Sequence, residues 1–158
     1  MIEQICIADV LLESIKEIFE TMIFMSVEPC GNDTPSIEGE ILMGSITYKG
    51  DIEGCLGICC AMDCAKAVAA NMLCMDSPDE VTEEDLADAM GEVSNMVMGS
   101  IKTRLQDTIA NIELSIPSVV AGRSLRTNLG DGTSRTQVNV TVGASHVVEL
   151  SFVSRKSG

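Results

Sequence analysis

Apolar residues recur at spacings of three and four between positions 85 and 102, and this period predicts the middle of one long amphipathic helix. Its apolar stripe consists of Leu86, Met90, Val93, Val97 and Ile101. The opposite, solvent side carries Asp88, Glu92, Asn95, Gly99 and Lys102. Acidic residues in the segment 77–85 precede the stripe. They favour a helix start there, because they face the positive end of the helix dipole.

The first part of the chain predicts a helix, a strand pair and a second helix. Residues 6–22 form the first helix, with an apolar stripe at Leu11, Ile15, Ile18 and Met22. Two β-type runs follow at residues 40–48 and 52–61, and the Lys-Gly-Asp turn between them is typical of a hairpin. A shorter helix over residues 64–73 comes next, with Asp63 as its expected N-cap.

After position 108 the pattern changes to period two, which predicts strands with one face toward a core. The alternating residues are Ile112/Leu114/Ile116, Val138/Val140/Val142 and Val148/Leu150/Phe152. A loop over residues 123–135 joins two of these strands. Helix and strands thus recur in both halves, which indicates a diverged internal duplication. We expect an α+β fold, with one pseudo-duplicated domain over residues 1–158 and an antiparallel sheet packed against long helices.

The composition favours a folded, acidic protein of the cytoplasm. The 158 residues are 46% hydrophobic and carry a formal net charge of −14. This charge repels phosphate backbones, so nucleic-acid binding is not expected. The start of the chain has neither the basic nor the apolar part of a signal peptide, and no membrane partner is expected. Seven cysteines among mostly apolar neighbours suit free thiols in a reducing compartment.

Four of the cysteines form a cluster at Cys55, Cys59, Cys60 and Cys64. Four thiolates can bind zinc. Adjacent residues of a strand point to opposite faces of the sheet, however, so Cys59 and Cys60 cannot easily share one metal ion. Core packing is the favoured interpretation, with a metal site or a redox switch as the alternatives. His146 is the single histidine, and a surface or structural role is favoured there. We expect no metal and no cofactor bound by this chain.

Common phosphatase and hydrolase signatures are absent from the sequence, so the polar face of the long helix is the place to look for chemistry. Glu92 and Asn95 are neighbours on one turn of that face. Asn95 and Gly99 both lower helix propensity, which invites a functional explanation. Met96 and Met98 are expected to flank the polar stripe. There they either pack at the edge of the core or form an adaptable apolar rim around a docking site.

The segment from Asp88 to Gly99 reads Asp-Ala-Met-Gly-Glu-Val-Ser-Asn-Met-Val-Met-Gly. It resembles the signature helix of the CheC/CheX/FliY family of chemotaxis phosphatases, whose core is Glu-x-x-Asn. Residues 39–58 resemble the strand pair that precedes this helix in the family. CheC-type members carry the signature on both duplicated helices. Here the first helix offers only Glu13-Ser-Ile-Lys16 and Glu17-Ile-Phe-Glu20, so the resemblance is to the single-site CheX arrangement.

The resemblance implies a homodimeric enzyme that removes the phosphoryl group from a phosphorylated chemotaxis response regulator, CheY. The receiver holds the acyl phosphate on its own Asp, with its own Mg²⁺ and Lys, so hydrolysis requires mainly a water placed in line. Asn95 is expected to orient this water, because an amide both donates and accepts hydrogen bonds. Glu92 is expected to pair with the receiver's Lys. The expected partner-binding residues are Asp88, Met96, Met98 and Gly99.

Two other classes of function stay open. One is an interaction protein without catalytic activity, since the resemblance extends to flagellar motor switch components, which bind the response regulator without hydrolysing it. The second is a regulatory module that acts on another chemotaxis protein, as CheC-type members do. An intact Glu-x-x-Asn favours the enzyme.

Overall fold

The structure is a computed structural model that describes residues 6–30, 37, 39–106, 111–122, 133–143 and 145–156. This part of the chain forms a seven-stranded antiparallel sheet. The strands are β1 (Val27–Pro29), β2 (Ile41–Lys49), β3 (Ile52–Ala61), β4 (Glu113–Leu114), β5 (Ser118–Gly122), β6 (Ser134–Val142) and β7 (His146–Lys156). One face of the sheet packs against α1 (Ile7–Ile18), α2 (Met62–Met72) and α3 (Glu83–Leu105). The expected α+β class is confirmed.

The strand order shows how the two halves are related. Strands follow the order β1-β6-β7-β3-β2-β4, and β5 also pairs with β2. The hairpin β2–β3 of the first half and the hairpin β6–β7 of the second half meet at the β3–β7 pair. Each hairpin is then extended by a strand of the other half, because β1 pairs with β6 while β4 and β5 pair with β2. This arrangement has the pseudo-two-fold character expected of a duplication, with α1 and α3 as equivalent helices.

Two features fix the position of α3. A capping box begins the helix, in which the Thr82 hydroxyl accepts from the Asp85 N–H at 3.1 Å and the Asp85 carboxylate accepts from the Thr82 N–H at 3.2 Å. Further along, the Ser94 hydroxyl donates to the Met90 carbonyl oxygen at 2.9 Å. A Cβ at Gly44 of β2 would overlap that hydroxyl. Glycine at this position therefore lets the strand and the helix pack in close contact.

The predicted α-helical period does not continue to the end of the first helix. The helix continues into a π-helical turn over Phe19–Ile23, which has more residues per turn than an α-helix. The buried positions consequently move to Phe19 and Ile23, and Met22 is 51% exposed. The assignment of Met22 to the core stripe is wrong for this reason.

Strand β5 was not predicted, and the alternation Ile112/Leu114/Ile116 is only partly realised. The strand there is limited to β4, and Ile116 is 89% exposed. Pro117 follows it and cannot donate to a sheet ladder, so the chain leaves the sheet before it forms β5. By contrast, the predicted inward positions of β6 and β7 face the helices, and most of them are fully buried.

The remaining expectations concern the N-cap of α2, the loop over residues 123–135 and membrane-spanning helices. Helix α2 begins at Met62 with Ala61 as its N-cap, so Asp63 lies in the first turn and is not the cap. Most of the predicted loop over residues 123–135 lies outside the described residues, and its end belongs to β6. In the described part of the chain, the helices are too short or too polar to cross a membrane.

Candidate functional site

The exposed side of α3 carries a carboxylate and an amide next to each other. Glu92 and Asn95 are both exposed, while Val93 and Ser94 between them are buried against the sheet side. Their three-residue spacing on a helix brings the two side chains together on one turn. Because α3 is long, capped and packed against β2, the two groups are held on a rigid element rather than on a loop.

Neither Glu92 nor Asn95 is used by the described part of the fold. Within the described residues, Glu92 and Asn95 take part in no hydrogen bond, ion pair or other electrostatic interaction. A carboxylate and an amide that are free and exposed can bind groups from outside the protein. Asn95 contributes two donors and a carbonyl acceptor, and Glu92 contributes only acceptors when it is ionised. This pair can therefore position a water molecule and contact a cation.

A shallow depression lies beside this pair, and we call it the site depression. It is lined by Ala87, Asp88, Gly91, Glu92, Asn95, Pro117 and Val119. Asp88 thus lies one turn before Glu92 on the same side of the helix, as the sequence predicted. The depression is acidic, because its charged lining consists of carboxylates. A basic group of a partner therefore fits the depression better than a free anion does.

The other predicted partner-binding residues do not share this depression. Met96 and Gly99 line a separate groove between α1 and α3, which we call the α1–α3 groove. Its lining consists of Glu17, Ile18, Thr21, Met22, Met96, Gly99, Ser100, Thr103 and Arg104. The predicted residues on the outer side of α3 therefore divide between two neighbouring concavities.

Met98 is placed elsewhere. It is fully buried, at 0% exposure, and belongs to the hydrophobic core. The expectation that Met98 flanks the polar stripe is wrong, because α3 is covered from three directions, by the sheet, by α1 and by α2. A helix buried on several sides needs apolar residues over a wider arc than one stripe. Met98 packs in the core and contributes no surface for docking.

The cysteine cluster does not form a second site in the described residues. Cys60 of β3 and Cys64 of α2 lie in the core between the sheet and the helices, while Cys59 is on the other face of β3, beside Glu149 and Arg135. No group of three or more His, Cys, Asp or Glu residues in the described part of the chain is arranged to hold a metal ion. Burial raises the pKa of Cys59 to about 11. A thiol in that state is a poor nucleophile, since the thiolate is the reactive form.

Sequence reasoning missed Pro117 and Val119, which form the wall of the site depression opposite α3. They follow the predicted strand 112–116 in the second half. The run Ser-Val-Val-Ala at positions 118–121 contains two adjacent β-branched residues, which favour a strand. That signal could have placed β5 in the sheet, but not next to Gly91.

Most of the sequence matches a known protein family. The family model described as Chemotaxis phosphatase CheX matches residues 42–142, nearly two thirds of the chain. The chain belongs to the CheX family. The match includes the β2–β3 hairpin from its second residue on and the whole of α3, so the Glu92–Asn95 pair lies inside it. No curated protein matches the chain significantly.

Solved structures of CheX proteins have the same fold. The chemotaxis protein CheX from Vibrio vulnificus matches with a TM-score of 0.74 at 20% identity, over 93% of this chain and 95% of that chain. CheX from Desulfovibrio desulfuricans matches with a TM-score of 0.73 at 19% identity, over 92% and 97% of the two chains. A chain of the CheX–CheY–BeF₃–Mg²⁺ complex from Borrelia burgdorferi matches with a TM-score of 0.72 at 20% identity, over 94% and 97%.

Proposed function

We propose that this CheX-family protein hydrolyses the aspartyl phosphate of a phosphorylated CheY-type response regulator. The observation that carries the proposal is the pair Glu92 and Asn95, exposed and without partners among the described residues, on a capped helix inside the family match. A member of the same fold has been crystallised with CheY, BeF₃ and Mg²⁺, which supports this class of partner.

Asn95 orients the attacking water in this proposal. The receiver's aspartyl phosphate already has a good leaving group, so the remaining requirement is a water in line with the scissile bond. The Asn95 carbonyl oxygen accepts a hydrogen bond from the water, and the amide N–H₂ donates to an oxygen of the phosphoryl group. A neutral amide does this without adding negative charge beside the phosphate. The water oxygen then attacks phosphorus, the aspartate carboxylate leaves, and inorganic phosphate is released.

Glu92 sets the position of the receiver. It lies one turn before Asn95, and Asp88 lies one turn further in the same acidic depression. The conserved chemistry of a receiver's phosphorylation site includes a Lys, as the family resemblance implies, and Glu92 forms a charge-assisted bond with it. That bond fixes the register of docking, so that Asn95 enters the site with the correct orientation. The Mg²⁺ belongs to the receiver, which binds it beside the phosphoryl group.

We also propose that the protein works in the cytoplasm as a homodimer, with residues 1–158 as one domain. Sheet edges are the expected contact, since an open edge is a template for pairing. One edge ends in β5, next to the site depression, and the other ends in β1 beside β6. Pairing at the β1–β6 edge leaves both copies of Glu92 accessible. Light scattering that gives the 16.8 kDa monomer at micromolar concentration contradicts the dimer.

Phosphate release from a phosphorylated receiver tests the proposed function. Each CheY-type receiver from the same genome is phosphorylated with acetyl phosphate, and inorganic phosphate is followed with and without catalytic amounts of the protein. We expect faster release with the wild type and not with Asn95→Ala. Binding without acceleration would assign the protein to the non-catalytic interaction class. Neither binding nor acceleration with any receiver would overturn the proposal entirely.

A further inference from the structure

The described part of the fold offers no packing reason for a glycine at position 99. Gly99 lies in the middle of α3, where glycine costs roughly 0.8–1.0 kcal/mol relative to alanine. No described residue lies within 4 Å of the position that a Cβ would take there. In the described structure the space above the backbone is therefore open, and no neighbouring element requires a small residue. A group from outside the protein that approaches the helix backbone would require one.

Gly91 gives the contrast on the same helix. A Cβ at Gly91 would lie 3.7 Å from Pro117 Cγ and 3.9 Å from Val119 Cγ2, so this glycine sits against the protein's own β4–β5 segment. The wall of the site depression already covers that side. Of the two glycines beside the Glu92–Asn95 pair, only Gly99 faces space that the described residues leave empty.

The α1–α3 groove next to Gly99 suits apolar side chains. Met22 and Met96 supply flexible apolar surface, and Met22 is 51% exposed. The hydroxyl protons of both threonines are used within the helices, because Thr21 donates to the Glu17 carbonyl oxygen at 2.6 Å and Thr103 donates to the Gly99 carbonyl oxygen at 3.0 Å. Methionine-rich surfaces adapt to the shape of a partner.

Arg104, which lines this groove, is paired with carboxylates of α1. The Arg104 guanidinium binds the Glu17 carboxylate at 3.0 Å and lies 3.5 Å from the Glu13 carboxylate. Among the described residues that line the groove, no free cation is therefore available to an anionic ligand. By contrast, the site depression on the other side of Asn95 is acidic. A matching partner presents a basic group to Glu92 and apolar side chains about 6–10 Å further along the axis of α3.

We propose that the α1–α3 groove is the second part of the receiver-docking surface and that it takes apolar side chains adjacent to the receiver's phosphorylation site. This inference rests on the proposed function and specifies toward which side of the Glu92–Asn95 pair the bound receiver extends. The footprint of the receiver extends from Asn95 over Gly99, Met96 and Met22 toward α1, and away from the exposed Ile116 on the β4–β5 side. Continuity with the Glu92–Asn95 pair supports this occupant, because a standard interface covers ~800 Å² per partner and reaches well beyond two side chains.

Two groove variants and one matched control test whether the receiver covers the α1–α3 groove. Gly99→Leu fills the groove with a good helix former, and Met22→Asp places a charge in it. Ile116→Asp makes the same chemical change at a residue that is 89% exposed on the other side of the site. Affinity is measured for the full-length protein against CheY-type receivers loaded with beryllium fluoride and Mg²⁺. We expect both groove variants to lose on the order of tenfold or more in affinity, as at the centre of an interface, and Ile116→Asp to bind as the wild type does.

The outcomes separate this inference from the proposed function. A wild type that binds loaded receivers but releases no phosphate leaves the groove testable by affinity alone. Groove variants with wild-type affinity overturn the inference even when turnover is normal. An equal loss in Ile116→Asp also overturns it, because the effect then follows the added charge. A changed oligomeric state in light scattering, with receiver affinity intact, assigns the groove to a second copy of the chain and overturns it too. Thermal unfolding identifies any variant that fails to fold, and Gly99→Ala, which has room for its methyl group, then takes its place.

Discussion

Helices α1 and α3 occupy equivalent places in the two halves, but their outward polar groups have different partners. Residues Glu13 to Lys16 show the same exposed–buried–buried–exposed pattern as Glu92 to Asn95, so Lys16 takes the position of Asn95. Glu13 lies 3.5 Å from the Arg104 guanidinium of α3, and Glu17, one turn later, binds it at 3.0 Å. The acidic groups of α1 thus hold the two helices together.

On α3 the corresponding groups are left without partners among the described residues. The acidic groups of α1 thus contribute to the fold, while Glu92 and Asn95 on α3 are available for a partner. Removing side chains from α1 should therefore change stability, and removing Glu92 or Asn95 should change binding or turnover instead.

The largest expected effect is on receiver binding by Glu92→Ala. When the ion pair with the receiver's Lys is desolvated on docking, its truncation costs roughly 2–5 kcal/mol, because a buried charge is left unpaired. Isothermal titration with a receiver loaded with beryllium fluoride and Mg²⁺ measures this. Since Glu92 has no internal partner in the described structure, the free energy of unfolding should stay within about 0.5 kcal/mol. Unchanged affinity would remove Glu92 from the docking surface.

Asn95→Ala should fail in a different way. Removing one preorganised group that acts in the transition state lowers turnover on the order of 10²–10³-fold, about 2.7–4 kcal/mol. Receiver affinity should change little, because Glu92 and the rest of the surface are intact. Single-turnover phosphate release gives the rate, with the affinity measured on the same preparation. Wild-type turnover in this variant would show that the assigned mechanism is wrong, even though the fold is right.

Gly44→Ala tests how firmly α3 is held by the sheet. The new Cβ would overlap the Ser94 hydroxyl and lie 3.2 Å from the Met90 carbonyl oxygen. Such overpacking typically costs 1–3 kcal/mol, and urea unfolding measures it. The double variant Gly44→Ala/Ser94→Ala is the matched control, since it removes the hydroxyl that the methyl group meets. No recovery of stability in the double variant would contradict the assigned contact.

Smaller effects are expected at the ion pairs between α1 and α3, of which Glu17 makes the closer one. Its carboxylate accepts from the Ser100 hydroxyl at 2.5 Å and from Arg104 at 3.0 Å, and these bonds lower the pKa of Glu17 from its usual 4.5. Glu17→Gln should lose about 0.2–1 kcal/mol of stability at pH 7, as for an exposed pair. A lowered pKa means that the contribution is present above pH 4.5 and is lost as the pH falls through the folded-state value. The difference between wild type and variant should therefore disappear in acid.

Glu13→Gln is the control for that experiment. Its side chain is 68% exposed and its contact with Arg104 is longer, at 3.5 Å, so its loss should be smaller. A larger loss of stability in Glu13→Gln than in Glu17→Gln would contradict the expectation that the closer contact with Arg104 contributes more. Urea unfolding at several pH values measures both variants together.

The sequence predicted the parts of this site that depend on local pattern. The spacing of apolar residues by three and four predicted that Glu92 and Asn95 lie on the exposed side of α3. The turn residues between β2 and β3 predicted the hairpin that these strands form. What could not be predicted depends on tertiary neighbours. Met98 is buried because α1 and α2 cover α3 from the sides. Pro117 reaches the site only through the pairing of β5 with β2, which no local pattern specifies.

The exchange of outer strands between the halves affects how the chain folds during synthesis and which parts of it can be deleted. The β2–β3 hairpin receives its flanking strands β4 and β5 from residues 113–122, so a growing chain cannot complete its first sheet until most of the second half has emerged. Long-range pairing of this kind slows folding, because loop closure must precede the contacts that reward it. In the same way the second hairpin depends on Val27–Pro29. The half without a Glu-x-x-Asn therefore cannot be deleted, since the half that carries Glu92 and Asn95 would lose an edge of its own sheet.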